Sequence, residues 1–270
     1  MRITFIGGGN MAIALINGLI QQGYKTAQIS VVEINAESRE RIKNQLGVSV
    51  VAELSDGVAN SDVVILAVKP QQLFELTQQL AVLLEQQLVI SIAAGIQATD
   101  IMRWLGGYAR VIRAMPNTPA LVRAGVTGLY AELSANAQDK KTAELILSAV
   151  GTVLWVDKEE MLHAVTAISG SGPAYVFYFI ESMQQAGIKL GLEPEQAKQL
   201  SLQTFHGAIK LACESNEDAA TLRARVTSKG GTTQQAIQTM EKFDVKVNII
   251  TAAQAANERS RELSDEFSKL

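Results

Sequence analysis

Short runs of β-branched and aliphatic residues alternate with stretches of helical period over the first 156 positions, and then the alternation stops. The runs "RITFI" (2–6), "QISVV" (28–32), "DVVILAV" (62–68), "LVISIAA" (88–94) and "ARVIRAM" (109–115) predict strands. The segments between them predict helices, among them Met11 to Gln22 and "AESRERIKNQLG". "DVVILAV" is apolar almost throughout, as a parallel strand buried on both faces must be. "GVTGLYA" (125–131) and "GTVLWV" (151–156) predict two more strands around a helix at about 136–150. Strands alternating with helices predict βαβ units and a mostly parallel sheet. From Asp157 onward no strand signal survives, and six segments, from "KEEMLHAVTAI" to "NIITAAQAANERSRELSDEF", all read as helices.

One of these helices changes the picture of the whole molecule. "AYVFYFI" is apolar nearly all round, which requires burial on several sides. A helical region of this size offers too little cover, so the pattern predicts an interleaved homodimer. Tyr175, Phe177, Tyr178 and Phe179 then read as dimer core.

Composition narrows the function. The chain has 270 residues, 47% hydrophobic and 19% charged, with net charge -3, which suits a globular protein with a sizeable core and two domains. No basic block is interleaved with aromatic residues, so a nucleic-acid partner is not expected. No apolar run reaches the roughly 18–20 residues of a membrane span, and the start lacks the charged and apolar regions of a secretory signal. A cytoplasmic location is the expectation. A single cysteine and two histidines far apart offer neither a disulfide framework nor a metal site. His163 and His206 read as packing or surface residues, and Cys213 as an inert buried thiol.

The chemistry begins at "GGGNMA" (7–12), directly after the first strand and at the opening of the first helix. It fits G-x-G-x-x-A, the dinucleotide fingerprint. Gly7 permits the tight turn, Gly9 lets the backbone approach a pyrophosphate, and Ala12 lets helix and strand pack closely. Asn10 and Met11 are the loop side chains nearest such a cofactor. The fold class is therefore an α/β Rossmann-like N-terminal domain, residues 1–157, with a mostly parallel doubly wound sheet. An all-α C-terminal domain, residues 158–270, serves dimerisation and substrate.

Glu33 stands about 20 residues past the fingerprint, where an acidic side chain bonds the ribose 2′-OH of NAD and repels the 2′-phosphate of NADP. Arg39 and Arg41, on the helix that follows, favour a phosphate or form a solvated face. Ligands of open α/β sheets gather at the carboxyl ends of strands. That places Val68, Lys69 and Pro70 of "LAVKP", Ala93, Ala94 and Gly95 of "SIAAG", and Pro116 and Asn117 of "AMPNTPA" as candidate walls of the cofactor pocket.

Two breaks interrupt the helical half. In "TSKGGTTQQAI" (227–237), Gly230 and Gly231 let the backbone curl, and Thr232 and Thr233 add N–H groups and hydroxyls at a helix start. Convergent N–H groups there suit a carboxylate. The same residues also serve a helix cap, with Thr232 as the capping residue. In "SGSGPAY" (169–175), Ser171 and Gly172 read either as a second substrate-facing loop or as the start of a helix whose first turn holds Pro173.

Taken in order, "GGGNMA", "AVKP", "SIAAG", "RAMPNTPA", "SGSGPAY" and "SKGGTT" resemble the signature of pyrroline-5-carboxylate reductases, from Gly7 to Thr233. The resemblance implies reduction of 1-pyrroline-5-carboxylate to L-proline by hydride from NADPH or NADH, the last step of proline biosynthesis. It also implies a homodimer through the helical domain and assembly of dimers into a larger ring such as a decamer. By the same resemblance Gly230, Gly231, Thr232 and Thr233 hold the substrate carboxylate, and Thr233 bonds the imine nitrogen or relays a proton, with water as the alternative donor. The chain departs from the family at Lys229, where proline is usual, and at Glu33, where NADP-preferring relatives carry Asn, Ser or Arg. A β-hydroxyacid dehydrogenase would share the architecture. It needs a lysine early in the long helix, and here none occurs before Lys189. A non-catalytic cofactor sensor would have no use for the anion cradle at "GGTT".

Overall fold

The computed structural model describes all 270 residues. In chain order the first half holds β1 (Ile3–Ile6), α1 (Asn10–Gln21), β2 (Ile29–Val32), α2 (Ala36–Leu46), β3 (Ser49–Val51), α3 (Leu54–Val58), β4 (Val63–Leu66) and α4 (Pro70–Ala81). There follow β5 (Leu88–Ser91), α5 (Ala98–Trp104), β6 (Val111–Met115), β7 (Gly125–Ala131), α6 (Ala137–Leu147), β8 (Gly151–Trp155) and α7 (Met161–Val165). The rest is helical: α8 (Gly172–Lys189), α9 (Pro194–Glu214), α10 (Ala219–Arg225), α11 (Thr232–Lys242) and α12 (Val245–Phe267).

The eight strands form one sheet in the order β3-β2-β1-β4-β5-β6-β7-β8. Every pair is parallel except β6 with β7, where the chain turns back after "PNTPALVRA". Helices cover both faces, so the inner strands are buried on each side. Along β4, Val63 and Ile65 join the core that holds Phe5, Leu15 and Ile16, while Val64 and Leu66 join the core that holds Val32, Leu73 and Trp104. This division explains the unbroken apolar run there, and it is why periodicity alone does not reveal the two faces. β3 is absent from the sequence reading, because three residues carry too short a pattern.

The chain packs as two compact units, Met1–Ser171 together with Ala256–Leu270, and Gly172–Ala255. The strands end at Trp155, beside the expected change at Asp157, but the packing boundary falls later. α7 lies on β7, where a side chain on Gly128 would come within 2.6 Å of Val165 Cγ1. The end of α12 rests on the turn after β5: Gly95, at φ +79°, faces Leu263, and Gln97 donates a 3.2 Å hydrogen bond to Ser264 Oγ.

Across α8, α9, α10 and α11 only Ala197 and Ser201 are buried. Cys213 is exposed, contrary to the expected buried thiol, because no element of this chain covers its face of α9. His206 is exposed, whereas His163 is buried and pairs with Ser260 Oγ at 2.9 Å. No helix is long and apolar enough to cross a membrane.

Candidate functional site

The strand order reverses direction at β1, which has β2 on one side and β4 on the other. Such a switch point leaves a crevice at the carboxyl ends of the strands, and the glycine loop occupies it. Gly7 stands at φ +98° and gives its N–H to Val32 O at 2.9 Å. A Cβ there would come within 2.8 Å of Ala67 O, so both dihedral and space demand glycine. A side chain on Gly8 would strike Ile42 Cδ1 at 2.1 Å. Gly9 has nothing within 4 Å of where a Cβ would stand. It is the N-cap of α1, with no side-chain cap and no acidic residue in the first turn. The first N–H groups of α1 thus lack a side-chain acceptor and carry the positive end of the helix dipole, which suits a phosphate group.

A cleft of about 780 Å³ opens at this loop, lined among others by Gly7, Gly9, Glu33, Val68 and Lys69. Its walls are backbone and small or flexible side chains, so the residues present fit a dinucleotide. Ala12 is buried under the loop, Asn10 is exposed and Met11 is half-buried. Lys69 is the N-cap of α4 and Pro70 occupies its first turn.

Glu33, at the end of β2, receives two backbone N–H groups, from Gly8 at 3.1 Å and Asn35 at 3.0 Å. Its carboxylate therefore ties the glycine loop to the start of α2. Arg39 bends back over the same turn, with Nη1 donating to Glu33 O at 3.0 Å and Ile34 O at 2.8 Å. Neither the Gly8 contact nor this guanidinium clasp can be found from motif spacing.

Asn10, Met11 and Pro70 are not part of the lining of this cleft, and neither are the remaining candidates on the first unit. Ala93 and Gly95 are buried, and Gly95 packs against α12. Pro116 and Asn117 are buried just past β6. The Asn117 amide donates to Ser169 O at 3.1 Å, and its Oδ1 accepts from Val126 N at 2.9 Å. Beneath these turns Arg113 Nη1 pairs with Glu159 Oε1 at 2.7 Å, and the same oxygen accepts from Ala98 N at 2.6 Å. Burial pushes the Arg113 guanidinium down and the Glu159 carboxylate opposes that shift.

On the second unit, Gly231 and not Thr232 is the N-cap of α11, and no side chain caps it. Thr232 is the first helical residue, because Gly230 at φ +74° completes the turn and lets the helix begin one residue sooner than a threonine cap would allow. Gly230 N–H donates to Gln234 Oε1 at 2.5 Å, and Gly231 N–H to Ser228 O at 3.1 Å. The next N–H groups, from Thr232 onward, begin an uncapped helix with no acid in its first turn. Thr232 and Lys229 are exposed and Thr233 is half-buried.

Comparison with known proteins places these features in a family. Residues 159–263 match the family model described as pyrroline-5-carboxylate reductase dimerisation, and residues 2–95 match that described as NADP oxidoreductase coenzyme F420-dependent. The chain is 46% identical over 267 residues to the pyrroline-5-carboxylate reductase of Pseudomonas aeruginosa, covering 98% of each. Its fold matches the solved pyrroline-5-carboxylate reductase of Coxiella burnetii with a TM-score of 0.92 at 43% identity, covering 97% of this chain and 98% of that one. The Plasmodium falciparum pyrroline carboxylate reductase, solved with NADP bound, matches with a TM-score of 0.89 at 29% identity over 98% of both chains.

Proposed function

The chain belongs to the pyrroline-5-carboxylate reductase family, and we infer from that membership that it reduces 1-pyrroline-5-carboxylate to L-proline with NAD(P)H, the last step of proline biosynthesis. It is an oxidoreductase acting on a C=N bond. The observation that carries the reading is the 46% identity along 98% of both chains. Oxidation of NADPH or NADH that depends on added 1-pyrroline-5-carboxylate tests it, run with each cofactor in turn.

The reaction puts one hydride on the imine carbon and one proton on the nitrogen. The dihydronicotinamide supplies the hydride when bound. This chain's residues have to hold the two reactants at about 3–3.5 Å between reacting atoms and in line. In our reading the N–H groups at the start of α1 hold the pyrophosphate, with Gly7, Gly9, Asn10 and Met11 around it. Glu33 meets the adenosine ribose, and Val68 and Lys69 wall the cleft beyond, with Pro70 next to them at the start of α4. Ala93, Ala94, Gly95 and Pro116 shape the carboxyl edge of β5 and β6. The free helix start at α11 supports Gly230, Gly231, Thr232 and Thr233 as the cradle of the substrate carboxylate. The Thr233 hydroxyl orients the imine nitrogen; as a weak acid it relays a proton more readily than it supplies one. Ser171 is the second polar group given to the substrate.

A homodimer through the helical segment is part of the same reading. It is supported by the family model over residues 159–263 and by the exposed apolar side chains of α8 and α9. Assembly of such dimers into a decameric ring is a further step implied by the resemblance.

A further inference from the structure

The segment between α7 and α8 is not an α-helix. Thr166–Gly170 forms a π-turn, closed by Ser171 N–H on Thr166 O at 2.8 Å, five residues back. Such turns leave carbonyls without their usual partners and recur at functional sites. In an uninterrupted α-helix the Ser169 carbonyl would be bonded by the N–H of residue 173, but that residue is proline and has none. The structure gives this carbonyl another donor, Asn117 Nδ2 at 3.1 Å. At its other end the Asn117 amide accepts Val126 N–H at 2.9 Å. Val126 lies past the last pair between β6 and β7, Met115 with Gly128, where no strand residue of β6 remains to bond it. The two partners fix which way the amide points, since a flipped amide would set oxygen against oxygen. Asn117 is 8% exposed, so the amide is largely withdrawn from solvent. Gly170 adds close packing, because a Cβ on it would lie 2.6 Å from Met115 Cε.

We propose that Asn117 is a positioning residue. It clamps the turn at Ser169–Ser171 to the carboxyl edge of β6 and β7, and so fixes Ser171 for the substrate without touching the cofactor. Asn117 has this role in place of the cofactor contact expected from the sequence, and the test below decides between the two. The role of Ser171 rests on the function proposed above; the clamp itself does not.

Asn117→Asp tests it, because aspartate keeps the size and the acceptor for Val126 N–H but turns an oxygen towards Ser169 O. Three quantities are measured against the wild type: amide hydrogen exchange at Ser171 in the ligand-free protein, NADPH dissociation constant by fluorescence, and kcat and KM for 1-pyrroline-5-carboxylate. Exchange is expected to quicken about tenfold or more, as loss of a buried hydrogen bond implies. kcat/KM for the imine falls about tenfold or more, while the NADPH constant stays within about twofold. Unchanged exchange overturns the clamp. Faster exchange with unchanged kinetics overturns its role in catalysis, and NADPH binding weakened as much as kcat/KM makes Asn117 a cofactor contact instead. If the wild type turns over no imine, the proposed function fails while the exchange result still decides the clamp. Should the aspartate variant not fold, Asn117→Ser, too short to reach both partners, carries the same measurements.

Discussion

Three consecutive glycines do three different jobs. Gly7 needs a positive φ, Gly8 leaves room for Ile42, and Gly9 leaves the helix start open. The first and third are legible in the motif, while the second stands at a position the motif leaves free, and its partner Glu33 is 25 residues away. In the function proposed above, Glu33 is also the residue that bears on cofactor choice. A 2′-phosphate arriving at the end of β2 meets a carboxylate held in place by two N–H groups. Glu33→Ser removes that charge and leaves Arg39 clasped on the carbonyls of 33 and 34 to receive the phosphate. The ratio of kcat/KM with NADPH to that with NADH should rise about tenfold, the effect of a unit charge at partly exposed range. An unchanged ratio would remove Glu33 from cofactor selection. Thr233→Ala should lower kcat/KM for the imine about tenfold or more, for a hydrogen bond made in the transition state. Unaltered kinetics would take Thr233 out of the mechanism.

Elements were legible where their pattern is long. β7 runs over the predicted Gly125–Ala131, and the other predicted strands appear with trimmed ends. β3 is too short to announce itself, and the π-turn, at five residues, is likewise too short to stand out in the hydrophobic period. The return of α12 to the first unit is equally silent, because no local signal records which distant turn Leu263 and Ser264 will meet. What joins elements here is polar and buried. Arg113 of β6, Glu159 and the N-terminus of α5 meet at one carboxylate oxygen, and the two side chains are 6% and 16% exposed. Removing one partner leaves the other charge buried and alone. Glu159→Ala should therefore lower unfolding free energy by about 3–5 kcal/mol, read from denaturant midpoints. A loss below about 1 kcal/mol, the range of an exposed pair, would show that Arg113 reaches water on its own.

At the scale of the molecule, the second unit does not make a core from its own residues. Phe177 is 66% exposed and Tyr178 69% on α8, which has no buried residue, and Leu190 just past its end is 85% exposed. Covering each such side chain is worth about 1.5–3 kcal/mol, so a second chain is the natural cover. Light scattering should give a dimer or a multiple of it, and Phe177→Glu should shift the population towards monomer. A stable, active monomer would contradict the interleaved dimer. The activity itself has the plainest test. Purified protein is given 1-pyrroline-5-carboxylate with NADPH and, separately, NADH, and proline formed is counted against nicotinamide oxidised. One proline per cofactor oxidised, with at least one of the two, is the predicted result, and no proline with either would contradict the account.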